Sequence, residues 1–335
     1  MDFMLDINIP SPAKKINYRD PLMLIGSCFT EHIGGSLAEL KFDVLQNPNG
    51  ILFDPFSVSC NLVSYIRHQK YTPDDLFFLN ELWCSWRHHS IFSNMDKGEC
   101  LRKINLAQDQ AYLFLKKAKW LIITLGSSFS YRLNDEAPSF VRGMIGNEVA
   151  NCHRAPAQWF NKHLMTIDEI NAALDNCLHQ LFRFNPAIRV IFTVSPVRHI
   201  RDGVTENNRS KARLIEVVHH LAGKFDKIYY FPAYELVIDV LRDYRFFDID
   251  MVHPNYQATE FVLEKFEEHY IDEESQSIIQ DIKKIMIARK HRAFQPDTDA
   301  HKRFLQSHSE KTKELKAKYP FLRLDEELNY FSPKS

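Results

Sequence analysis

Two short stretches carry residues that could together perform nucleophilic chemistry. In PLMLIGSCFT (residues 21–30) an apolar run stops at Gly26 and passes through Ser27 and Cys28 straight into a segment with helical periodicity. A hydroxyl becomes a useful nucleophile only with a base in hydrogen-bond reach, and that base needs an orienting group. Such a pair stands far downstream in YRFFDIDMVHPNYQATEF, where Asp250 and His253 lie three residues apart ahead of Pro254. A loop with this spacing can present both side chains to one cleft. His253 would take the Ser27 proton, and Asp250 would fix its tautomer and stabilise the imidazolium. Each part has a plainer reading. Ser27 would also serve as a helix N-cap, and Asp-x-x-His arises by chance. Cys28 is a rival nucleophile, but its side chain points away from that of Ser27, and a free cysteine is usually a small core residue.

The elements that must position these groups are legible as runs. PLMLIGS (21–27), FDVLQ (42–46), WLIITLG (120–126), RVIFTVS (189–195) and KIYYFPAY (227–234) are short, apolar and bounded by turn residues, as buried parallel strands are. Helical patterns lie between them. Ile33, Leu37 and Leu40 share a face after Thr30. Thr166 and Glu169 form a capping box for a helix to about Phe184. Leu214, Val217, Val218, Leu221 and Phe225 make a one-sided stripe, and Asn255 caps a helix through Phe266. Strands alternating with helices predict a mostly parallel α/β sheet covered on both faces, with ligands at the carboxyl ends of the strands. The Gly26–Ser27 turn is at such an end. Residues 71–93 interrupt the alternation as an inserted, aromatic-rich hairpin. The expected organisation is an α/β domain over 1–270 and a charged helical appendage over 271–335, broken at Pro296 and Pro320 and docked by its last aromatics.

Bulk properties narrow the function. The 335 residues are 45% hydrophobic, and 42 Lys and Arg stand against 43 Asp and Glu, a formal charge of -1. This is a soluble globular composition with no global positive field for nucleic acid or an anionic membrane. The start, MDFMLDINIPSPAKK, does not have the pattern of a signal peptide, and no apolar run approaches the ~18 residues of a membrane span. The six cysteines are irregularly spaced, which predicts reduced thiols in a cytoplasmic protein. Neither Gly-x-Gly-x-x-Gly nor a Walker loop occurs, so no nucleotide cofactor is expected. Cys152, His153, His88 and His89 lack the paired spacing of a zinc site. In SPVRH (195–199), Arg198 and His199 follow a strand end, so they fall on the same rim as Ser27. With Arg201, Lys211 and Arg154 they could bind a polar or anionic part of a substrate; the plainer reading is a solvated loop. The aromatics of LWCSWRHHSIF (82–92) could form a sugar platform, although packing is the commoner role.

Gly26-Ser27-Cys28-Phe29-Thr30 resembles the signature of the GSCFA family, within the SGNH/GDSL hydrolase superfamily. NPNGILFDP (47–55), TLGSS (124–128), ANCHRAP (150–156), SPVRH (195–199), NNRSKARL (207–214) and DMVHPN (250–255) are similar to that family's blocks, in its order. The resemblance covers roughly residues 20 to 270 and implies a flavodoxin-like, three-layer α/β/α sandwich with a Ser27–His253–Asp250 site. Superfamily members are mostly esterases, lipases, carbohydrate deacetylases and a few acyltransferases. The expected activity is therefore a serine esterase acting through an acyl-enzyme on O-acyl, chiefly O-acetyl, groups of a small-molecule or carbohydrate ester. A non-catalytic binding protein on the same fold and an acyltransferase are the alternatives. The implied oxyanion hole uses the Ser27 N–H, a Gly50 N–H after the second strand and an asparagine side chain after the third. Ser127-Ser128 stands where that asparagine is expected, so Asn151 or a serine hydroxyl is the substitute. Converging blocks give Asn151 and His153 a place in the site, with His153, Arg198 and His199 as substrate contacts. Oligomeric state is open.

Overall fold

The computed structural model describes residues 4–144 and 148–332. The elements in chain order are β1 (Leu22–Gly26), α1 (Cys28–Glu39), β2 (Val44–Gln46), α2 (Pro55–Ile66), β3 (Phe77–Leu79), β4 (Leu82–Cys84), α3 (Lys97–Lys117), β5 (Trp120–Leu125), β6 (Phe129–Leu133) and β7 (Phe160–Leu164). There follow α4 (Ile167–Phe184), β8 (Arg189–Val194), α5 (Val204–Lys224), β9 (Ile228–Tyr230), α6 (Ala233–Glu235), α7 (Tyr256–Tyr270), α8 (Glu273–Lys290), α9 (Asp299–Lys318) and α10 (Asp325–Phe331). All five runs expected as strands pair in one parallel sheet, in the order β2-β1-β5-β8-β9. Along β1, Leu22 faces Val44 on one side and Trp120 on the other. The chain leaves β1 first to one side and then crosses to the other. The crevice beyond the carboxyl ends of β1 and β5 is thus a topological switch point, the place where open α/β sheets bind ligands.

Side-chain alternation divides the core into the two outer layers of an α/β/α sandwich. Leu22, Leu24, Trp120, Ile122 and Ile191 face α1 and α7. Met23, Ile25, Leu121, Ile123, Val190 and Phe192 face α2, α4 and α5. The expected capping box is present: Thr166 and Glu169 bond reciprocally at the start of α4.

Two features differ from expectation. The segment after β5 is an antiparallel pair, β6 with β7, where no strands were expected. It packs with the β3–β4 hairpin around Trp86, which is 1% exposed and stacked on Phe77, so Trp86 takes the packing role favoured for this stretch and not that of a sugar platform. The C-terminal segment also carries more apolar surface than its charge suggests. Ile278, Ile279, Ile282 and Ile285 of α8, with Leu322, Leu324 and Phe331 beyond, are buried in the same core as β1 and α1.

Candidate active site

Ser27 occupies the N-cap position of α1, with extended backbone at φ −71°, ψ 174°. A serine there ordinarily accepts an N–H from the first helical turn. This one does not: its Oγ has no hydrogen-bond partner although the residue is only 4% exposed. Gly26 makes the approach possible. Its φ is +139°, and a Cβ there would lie 2.1 Å from the Thr124 carbonyl oxygen, so no other residue lets β1 end this close to β5.

Across the cleft, the His253 Nδ1–H donates to Asp250 Oδ2 at 2.6 Å. Asp250 Oδ1 accepts the Val252 and His253 backbone N–H groups at 2.9 and 3.0 Å. The His253 N–H and imidazole hold the Asp250 carboxyl down to about 2, with the Val252 N–H adding to them. The loop is closed by the Asp248 N–H on His253 O at 2.8 Å and by Met251 in the left-handed region, φ +58°. Asn255 then caps α7 through the Ala258 N–H. Asp250 and His253 form an exposed lip, with side chains 45% and 43% accessible. Among the described residues His253 Nε2 makes no protein hydrogen bond, and Ser27 and His253 are not bonded to each other. Both line one cleft of about 530 Å³, together with Asp250, Cys28, Ser127, Arg198 and His199.

The oxyanion donors expected from sequence are otherwise engaged. The Ser27 N–H donates to Thr124 O at 3.1 Å, extending the β1–β5 ladder. The Gly50 N–H closes a turn onto Asn47 O at 2.7 Å, and Gly50 faces the His89 side chain. Asn151 does not line the cleft; its Oδ1 accepts the His153 N–H at 2.9 Å. His153 is buried against the Ser85 carbonyl, Nε2 to O 2.8 Å, so it is not a substrate contact. Lys211 is also no surface cation: it is 1% exposed.

Arg198 and His199 do line the cleft. The Arg198 guanidinium lies 4.3 Å from the centroid of the Phe247 ring and pairs with no carboxylate among the described residues. Burial, with Lys211 nearby, pushes the His199 imidazole down to about 4. The first half of α5 anchors this rim. The Asn207 Oδ1 accepts the His199 N–H at 3.1 Å, and the Ser210 hydroxyl accepts the Ser128 N–H at 2.8 Å. The Lys211 Nζ donates to Gly126 O at 2.5 Å and Ser195 O at 2.6 Å, tying the end of β5 to that of β8 under the cleft. Burial lowers the Lys211 ammonium to about 7. Sequence reasoning missed this function, although a signal existed. Asn207, Ser210 and Lys211 stand seven, four and three residues before Leu214 and so continue the apolar stripe with polar residues. Asn47 was also missed. Its Oδ1 accepts the Gly26 N–H at 2.9 Å, and its buried Nδ2 has no partner.

The GSCFA family model matches residues 21–266, and a second model, the C-terminal domain of GSCFA domain proteins, matches residues 282–334. The chain belongs to the GSCFA family. No curated protein matches it. Among solved structures it is similar to an acetyl xylan esterase (Est2A) from the rumen bacterium Butyrivibrio proteoclasticus, at 13% identity and a TM-score of 0.34. The match covers 75% of this chain and 64% of that one, and likeness at this level carries no functional information. Among the described residues, no helix is long and apolar enough to cross a membrane.

Proposed function

We propose that the protein is a serine ester hydrolase of SGNH type, with Ser27 as nucleophile, His253 as general base and then acid, and Asp250 as orienting carboxylate. The observation that carries this is the Asp250–His253 pair, bonded at 2.6 Å through Nδ1, on the lip of the cleft that holds an unpartnered, non-capping Ser27 hydroxyl. Ser27 Oγ attacks the acyl carbonyl while its proton passes to His253 Nε2. The ester C–O bond breaks, the alcohol leaves with that proton, and water, deprotonated by His253, releases the acid and restores Ser27. Charge on the carbonyl oxygen is met by the first turn of α1, whose N–H groups the Ser27 side chain leaves uncapped. The proposed substrate is an O-acylated small molecule or carbohydrate; a sugar hydroxyl in place of water would make the same site an acyltransferase. The six free thiols suit a cytoplasmic setting.

The engaged oxyanion donors and the unbonded Ser27–His253 pair favour one rival, a binding protein without turnover. Intact-mass labelling with a fluorophosphonate separates them. The expected result is a single adduct on the wild type, none on Ser27→Ala and slow addition on His253→Ala. A folded wild type that takes no label would exclude an activated serine and leave the binding protein.

A further inference from the structure

Much of the cleft wall takes no part in serine chemistry. Ile51, Phe53, Phe129, Val197, Ile200 and Val252 all turn partly exposed apolar surface into the space that Ser27 faces. Phe53 and Ile200 are 40% and 46% exposed. Apolar surface left wet inside a concave site is surface that an apolar ligand would cover. Four branched aliphatic side chains, Ile51, Val197, Ile200 and Val252, line the cleft beside three aromatic ones, Phe53, Phe129 and Tyr131, and the Lys162 ammonium already lies over the Phe129 ring at 4.2 Å. The wall is also continuous: the Arg198 N–H donates to Val252 O at 3.2 Å, joining the segment after β8 to the loop that bears His253. Apolar surface continues outward along that loop, where Met251 and Ile249 are 49% and 99% exposed. An acetyl group, a single methyl beyond the carbonyl, would fill little of about 530 Å³ and leave this wall in water.

The geometry points to an ester whose acyl group is an apolar chain several carbons longer than acetyl, its tail against Val197, Ile200 and Val252. This rests on Ser27 as the nucleophile that fixes where the carbonyl sits, and it replaces acetyl as the acyl group expected from the sequence. Two measurements test it. Turnover of p-nitrophenyl acetate, butyrate and octanoate should show kcat/KM rising from acetate to octanoate by on the order of tenfold or more, since each methylene moved from water to an apolar wall contributes roughly fourfold. Ile200→Asp should remove most of that rise and affect acetate far less. Independently of turnover, octanoate should shift the NMR signals of Ser27→Ala protein at millimolar concentration, acetate should not, and Ile200→Asp should abolish the shift. Acetate as the best ester, with no octanoate binding, would overturn the chain-binding inference and leave the hydrolase intact. Octanoate binding that depends on Ile200, in a protein that turns over no ester, would leave the chain-binding wall standing and remove the hydrolase, and with it the ester.

Discussion

A serine hydroxyl that is nearly buried and bonded to nothing forgoes about 1–3 kcal/mol that a partner would return. Ser27 is also placed where capping α1 would be the simplest use of it. In the proposed mechanism that freedom is kept for the substrate, and the carboxylate-oriented imidazole across the cleft is the base. Asp250 acts there through His253, as a positioning residue. Asp250→Asn should leave thermal stability near the wild-type value, because the side chain is exposed, while labelling of Ser27 by a fluorophosphonate slows by roughly 10⁴ as the imidazole takes the wrong tautomer. The pH dependence follows in sign. The Asp250 carboxyl is held at about 2, so its orienting charge is present above the ordinary carboxylate range and is lost only as pH falls toward that value. The slowing caused by Asp250→Asn should therefore be the same at pH 5 as at pH 7; a slowing that fades by pH 5 would show that the wild-type carboxyl is already protonated there.

Elements position these residues through partners that lie far apart in sequence. The ends of β5 and β8 are held by Lys211 from α5, a buried ammonium with two carbonyl acceptors. Its folded value of about 7 lies below the ordinary lysine range near 10.4. Between those values the unfolded chain carries a proton that the folded chain has released, so Lys211 makes stability rise with pH across that window. The urea midpoint of the wild type minus that of Lys211→Met should accordingly increase from pH 7 to pH 9. Subtraction removes the cysteine and tyrosine titrations the two proteins share. Parallel midpoints would show that the ammonium stays charged in the fold. The central strands were legible because each is a short run rich in apolar residues, and the caps of α4 and α7 because Thr166, Glu169 and Asn255 are specific signals. FSYRL and FNKHL, the β6–β7 pair, were not, because they mix polar and apolar positions and lie far apart along the chain. The engagement of the expected oxyanion N–H groups was illegible for a related reason. Whether the Ser27 or Gly50 N–H is free depends on register against Thr124 and on the turn at Asn47, which residue types do not reveal.

At the scale of the molecule, the charged C-terminal segment and the α/β sandwich are joined through a common core. The Phe331 side chain, in the last helix, is fully buried in the cluster that also contains Leu22 and Phe29. Four residues earlier, Glu327 is fully buried as well and pairs with Arg289 and with Lys41 just beyond α1, at 2.8 Å for the lysine. Cutting this contact exposes apolar surface on both sides at once, so the two parts should not unfold independently. Phe331→Ala should cost about 3–5 kcal/mol, the usual range for deleting a buried phenylalanine side chain. Glu327→Ala should cost a comparable about 3–5 kcal/mol by leaving Lys41 and Arg289 without their shared carboxylate. In both variants denaturant unfolding followed by tryptophan fluorescence, which reports Trp83, Trp86, Trp120 and Trp159, all outside residues 271–335, should remain a single transition coincident with far-ultraviolet circular dichroism. Early loss of helical signal while the fluorescence stays native would instead mean that residues 271–335 unfold as a separate unit. The cleft lies beyond the carboxyl end of β1, whereas α8 is tied to the segment before β1 by the Tyr18 N–H on the Ser275 hydroxyl at 3.0 Å, so a variant that keeps its single transition should also label at Ser27 at the wild-type rate whenever it is folded.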